Sequence, residues 1–242
     1  MVWQNPQQGG AFGSAMTDVE AQGRSALATQ FLNQVFGWMA GGLATSGAVA
    51  YAVLSSAALY GTVQRHFLLF AILQLVAVMV FSGMLQRMSV AVAAATFLGY
   101  SALTGLTLGV IVSMYTTASV ANAFFVSAGT FGAMAVIGAT TKKNLSGLGS
   151  FLMMGVIAIL IASVVNFFLH SGALDFAVSI LGALIFTGLA AVDVQRFKSM
   201  GFLGFSTTRE ASQMALRGAL NLYLDFINMF LFLLRIFGDR RR

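Results

Sequence analysis

Cysteine is absent and proline occurs once in 242 residues, so disulfides and thiolate metal sites are excluded and little interrupts a helix. Charge is scarce as well. Lys, Arg, Asp and Glu make up 8% of the chain, against roughly 25% in an ordinary soluble domain, which excludes that class. The excess of positive charge, +6, is not a nucleic-acid signature, because no basic run is interleaved with aromatics; even Arg240-Arg241-Arg242 stands alone. No Gly-rich phosphate loop or HExxH is present, and His66 and His170 fall in loops, out of reach of a serine at membrane depth.

What is present is apolar. Hydrophobic residues are 58% of the chain and the mean hydropathy is +0.87. Long apolar runs near the ~20 residues that cross ~30 Å of hydrocarbon, without strand alternation, predict an all-α polytopic membrane bundle. Seven spans are expected at 31–58, 67–86, 90–113, 120–141, 150–169, 176–192 and 219–237. Around them the reading places a flexible polar tail at 1–29, a membrane domain at 30–238 and a short basic tail at 239–242. The first segment lacks the basic start and apolar heart of a signal peptide.

Loop charges orient the bundle. Arg24, Arg87, Lys142, Lys143, Arg196, Lys198 and Arg209 fall on the side of the N-terminus and only Arg65 on the other, so the N-terminus is expected in the cytoplasm. Arg235 and the terminal arginines conflict with this. Either the seventh segment crosses against the local rule, or it is re-entrant and returns its tail to the cytoplasm. Gly37-xxx-Gly41 and Gly105-xxx-Gly109 are expected to pack helices within one chain, which favours a monomer among membrane lipids.

Two carboxylates stand out. Asp225 lies inside the last span, where a charge costs several kcal/mol, about 2.5 to 3.5 on the translocon scale, and Asp193 ends the span before it. Arg217, Asn221, Asp225 and Asn228 follow at intervals of four, four and three, one polar stripe on one helix face. A stripe of that kind belongs in the bundle interior, so the last helix is expected to be central. Two carboxylates in one poorly solvated site share their protons as a pair, a proton-sensitive switch. With the amide oxygens of Asn221 or Asn228 they also form a weak hard-oxygen site for Ca2+, short of the 6 to 8 ligands of a dedicated one. Asp193 has a blander use, an ion pair with Arg196 one turn on. Intramembrane aspartyl proteases also set aspartates on consecutive helices, but neither Asp193 nor Asp225 sits in a GxGD run, and no catalytic residue is assigned.

Several blocks in order carry a resemblance. They are Phe31-Leu-Asn-Gln-Val-Phe-Gly-Trp-Met-Ala-Gly41, Arg87-Met-Ser89, Tyr100-Ser-Ala-Leu-Thr-Gly-Leu-Thr107, Gly129-Thr-Phe-Gly132, Thr140-Thr-Lys-Lys-Asn144, Ala191-Val-Asp193-Val-Gln195 and Leu222-Tyr-Leu-Asp225-Phe-Ile-Asn228. From about residue 29 to 238 the chain resembles the Bax inhibitor-1 family, in particular its bacterial branch. The resemblance implies seven helices with the last one central, an inner-membrane location, and a pH-sensitive Ca2+ leak gated by an aspartate pair. By motif the pair is Asp193 and Asp225, latched by an arginine at the end of the second span, Arg87. A family member that leaks Ca2+ carries an acidic residue earlier in that span, where this chain has only Gln74. Another bacterial relative is a substrate and modulator of a membrane-anchored AAA protease, the alternative role, for which the polar N-terminal tail would be the handle.

Overall fold

The structure, a computed structural model, describes residues 6–241. Eight α-helices follow in order: α1 (Pro6–Ser55), α2 (Ala57–Arg65), α3 (Phe67–Met84), α4 (Val90–Ser113), α5 (Thr117–Thr140), α6 (Ser146–Leu169), α7 (Gly172–Leu203) and α8 (Thr208–Phe237), with one 3-10 turn, Leu85–Arg87, after α3. All but the short α2 contain a segment long and apolar enough to cross a membrane, seven candidate spans. The protein is a polytopic helical bundle.

Hydroxyl caps start the helices. Ser56, Ser89, Thr116, Ser171 and Thr207 each accept from the backbone N–H three residues on, satisfying a donor that the first turn leaves free. At α8 the cap is reciprocal, since Glu210 Oε2 accepts from Ser206 N at 3.0 Å. Gly204, with φ +80°, ends α7.

The helices outrun the predicted spans, because a helix does not stop where hydrocarbon does. At 1.5 Å per residue the 32 residues of α7 measure about 48 Å, well beyond the ~30 Å apolar slab. Asp193 is therefore inside a helix, ten residues short of its end at Leu203, rather than at a terminus. The helix α1 runs from Pro6, its proline in the first turn where no N–H is missed, and no further proline interrupts it. The Cα of Ala28, with Phe31, lies against Gly201. Residues 1–5 of the expected tail lie outside the described residues.

The last segment is a complete helix rather than a re-entrant one. Its end pairs with the α4–α5 loop, Thr116 N donating to Asp239 O at 3.0 Å and Arg241 N to Met114 O at 2.9 Å. The chain thus finishes at the end of the bundle opposite the α7–α8 loop, where Phe205 packs on Phe31 with ring centroids 4.8 Å apart. The helix α8 packs against α1, α4, α5 and α7, and buries Leu216, Leu220, Leu222, Tyr223, Met229 and Leu234 almost completely.

The two small-residue motifs part company. A Cβ on Gly105 would lie 2.6 Å from Ser46 O and one on Gly109 2.8 Å from Val53 Cβ, so this motif seats α4 on α1 within the chain. Gly37 and Gly41 meet nothing within 4 Å, and it is Gly42 that takes close contact, with Phe97. Expected core packing at 37 and 41 is corrected: the helix turns its Gly42 face inward, because Phe97 and Ser101 fill the space there.

Candidate functional site

Asp225 is 6% exposed on α8, and its Oδ2 has no hydrogen-bond partner. Asp193 of α7 lies near enough to Asp225 for their charges to interact, with Arg196 and the Asn221 amide also beside Asp193. The register of α7 on α8 produces this meeting. Thr187 Oγ1 donates to Met229 Sδ at 3.2 Å and Arg235 reaches Asp175 at 3.5 Å, so the antiparallel pair brings 193 level with the turn from Asn221 to Asp225.

Both carboxylates line one cavity of about 540 Å³, walled by α3, α4, α6, α7 and α8. Its polar lining is Gln74, Tyr100, Thr104, Thr107, Asn221, Tyr223 and Asn228 beside the two aspartates. The helix α3 packs on α4 and α6 on α7, with little contact between α3 and α6, and the cavity lies in that gap. Asp193, with Met153 and Leu189, lines a second groove of about 750 Å³ as well, which runs past Arg196, Ser199 and Asn144 toward the lysine-bearing α5–α6 loop. Asp193 thus lines both this groove and the cavity that Asp225 lines.

Of the predicted stripe, Asn221 and Asn228 share this cavity, Asn228 Nδ2 also donating to Leu224 O at 2.8 Å. Arg217 is half-buried and outside the lining. Arg87 is exposed in the turn after α3, likewise outside the lining, and Arg196 is the cation near Asp193. The short 3-10 turn holds residue 87 at the mouth of the bundle, whereas Arg196 rides on the same helix as Asp193. Among the described residues no group of three or more His, Asp or Glu side chains gathers for a metal ion. The oxygen-bearing side chains along the cavity include the two carboxylates and the amides of Asn221 and Asn228.

Sequence reasoning missed the support behind Asp225. Ser46 Oγ donates toward Ser101 O at 2.7 Å and shares a 2.7 Å hydrogen bond with Tyr223 OH, tying α1, α4 and α8 together. Phe97 and Tyr100 meet the Tyr223 ring edge-on at 5.8 and 6.1 Å. Gln74 Nε2 crosses from α3 to α4, reaching Thr107 Oγ1 at 2.5 Å and Leu103 O at 3.0 Å. Gln74 was legible as the one polar residue between Phe67 and Phe81; Ser46 had no signal that set it apart from the other hydroxyls of α1.

A seven-span helical bundle agrees with what comparison shows. The sequence matches the family described as inhibitor of apoptosis-promoting Bax1 over residues 28–242. The chain belongs to the Bax inhibitor-1 family. It is 47% identical over 229 residues to the Inner membrane protein YbhL of Escherichia coli (strain K12), covering 93% of this chain and 97% of that one. A Deinococcus radiodurans protein is 43% identical over 210 residues (87% and 90% of the two chains), and one from Borreliella burgdorferi 44% over 215 (88% and 93%). In this Bax inhibitor-1 family chain Asp225 is enclosed by Tyr223, Phe226 and Ile227 of its own helix, all buried, while Asp193 is half-buried.

Proposed function

We propose that the protein is a proton-sensitive cation leak, with Ca2+ as permeant ion, whose gate is the Asp193–Asp225 pair, and that it works in a bacterial inner membrane. The observation that carries this reading is the unpartnered Oδ2 of Asp225 at a largely apolar cavity that Asp193 also lines. A carboxylate left without a donor in an apolar bundle is costly, and its useful partners are a proton or a cation. The second carboxylate makes the two protonation equilibria one coupled unit. Protonating both removes the charge that attracts a cation, while ionising both adds a repulsion that a divalent cation relieves. Asn221, Asn228 and Gln74 add amide groups along the same cavity. That Asp193 lines both this cavity and the groove toward the lysine-bearing loop supports a gate at that residue.

The test is Ca2+ flux into liposomes that contain only the purified protein, measured across pH. Flux should vary with pH in the wild type, and Asp225→Asn, Asp193→Asn and the double variant should flatten that dependence to nearly the same extent, because each destroys the shared unit. Absence of protein-dependent flux at every pH, or an Asp225→Asn profile that overlays the wild type, would refute the reading.

One observation favours a second role. Residues 22–27 of α1 are exposed ahead of Ala28, the first buried residue among those whose burial is described, which supports an accessible handle for a membrane-anchored AAA protease. Deleting residues 1–22 should then abolish degradation by that protease while liposome flux persists; unchanged turnover would remove this role.

A further inference from the structure

A second groove lies on the opposite side of α8. Its volume is about 420 Å³, its floor is Phe226, Ile227 and Phe230 of α8, and its walls are α1 and α5. Along α1 it extends from Leu43 to Leu54, eleven residues and so about 16 Å, close to the ~15 Å half-thickness of a hydrocarbon core. Gly47, where a Cβ would meet nothing within 4 Å, widens the α1 wall, and Ser46, Tyr51 and Thr117 are the hydroxyls among its lining. The groove is therefore one leaflet deep, apolar, and set in a bundle wall that faces lipid.

Its outer mouth is charged. Thr117, the first residue of α5, accepts from Arg241 Nη2 at 3.3 Å, and the Arg240 guanidinium lies 6.0 Å from the centroid of the Tyr115 ring. The terminal strand is pinned there by the backbone pairing of 239 and 241 with the α4–α5 loop, and Asp239 N donates to Ser119 Oγ at 3.0 Å. The exposed side chains of this strand are two guanidiniums against the one carboxylate of Asp239, while Arg235 is already engaged with Asp175. These are the arginines that sat on the wrong side for the orientation signal, and their fixed place at the mouth of an apolar groove provides them with a use.

We propose that this groove seats an anionic phospholipid, one acyl chain lying between α1 and α5 on α8 and the phosphate against Arg240 and Arg241. Charge selects the headgroup and length selects the leaflet, the one at the end of the bundle where the chain terminates. The site shares no lining residue with the aspartate cavity apart from Leu108 and Ile227, so its lipid contacts the back of the helix that carries Asp225.

Native mass spectrometry of the full chain in neutral detergent tests this, with dioleoyl phosphatidylglycerol and dioleoyl phosphatidylcholine as probes. The wild type should retain phosphatidylglycerol in preference to phosphatidylcholine. Arg240→Gln with Arg241→Gln should weaken phosphatidylglycerol binding by about fivefold per arginine and leave phosphatidylcholine unchanged. Arg65→Gln removes an equal charge elsewhere on the same end and should change neither lipid. Gly47→Leu fills the groove and should lower occupancy by both lipids without loss of fold. Equal loss from Arg65→Gln, retained preference in the double arginine variant, or full phosphatidylglycerol occupancy in Gly47→Leu would each overturn the proposal.

Discussion

Replacing Gly105 with alanine isolates the seam that positions Tyr223 behind the aspartate pair. The new Cβ would stand 2.6 Å from Ser46 O and 2.7 Å from Val49 Cβ, and neither is the far end of a flexible side chain. Helices α1 and α4 must separate by about 1 Å to reach the ~3.5 Å of ordinary contact. Overpacking of this kind costs about 1–3 kcal/mol. Separation also stretches the 2.7 Å hydrogen bond from Ser46 to Ser101 O and disturbs its 2.7 Å bond to Tyr223, at about 0.6 kcal/mol for each interhelical bond. A total of about 2–4 kcal/mol corresponds to a fall in Tm of about 5–15 °C for a chain of this size. Gly41→Ala provides the control, since its Cβ meets nothing within 4 Å and alanine is the better helix former by up to about 1 kcal/mol. Thermal unfolding of both variants in the same detergent reads the difference. If Gly105→Ala unfolds within about 2 °C of Gly41→Ala, the close seam between α1 and α4 does not exist as described.

Gln74→Leu removes both polar bridges from α3 to α4 and should cost about 1 kcal/mol, measured as a lower Tm, while leaving Ca2+ flux through the aspartate pair pH-dependent. Asp175→Asn breaks the ion pair with Arg235, whose partners are 40% and 44% exposed, and should shift stability by less than about 0.5 kcal/mol; a larger loss on denaturation would show that this pair holds the ends of α7 and α8. Cysteines placed at Ser206 and at His170 in this cysteine-free chain should label oppositely in intact cells, His170→Cys from outside and Ser206→Cys only after permeabilisation, because the two positions lie beyond opposite ends of α7. The reverse pattern would invert the charge-based topology.

Membrane class and span number were legible because both depend on hydropathy summed over about 20 residues, a signal that no tertiary contact alters. Asp225 was legible for the same reason: a carboxylate inside an apolar run is anomalous whatever surrounds it. Helix ends were less so, since hydropathy marks where hydrocarbon stops and says nothing of where the backbone ladder stops; α7 continues to Leu203 and α8 begins at Thr208. The stripe on the last helix was correct in period, yet period does not tell which members face a cavity. Asn221 and Asn228 line it with Asp225, and Arg217 does not.

By itself the sequence determined that this chain is a seven-span helical bundle of the Bax inhibitor-1 family with a carboxylate buried among apolar residues, all of it written in local composition and in ordered motifs. Tertiary structure decided the rest, because it depends on how helices distant in sequence meet. The register of α7 on α8 set Asp193 beside Asp225 with Arg196, not Arg87, as the nearby cation. The rotation of α1 chose Gly42 over Gly37 and Gly41 for close packing. The pairing of the terminal strand with the α4–α5 loop placed Arg240 and Arg241 at the mouth of an apolar groove. None of these can be read from one segment alone, since each depends on the shape of a second surface that the first must fit.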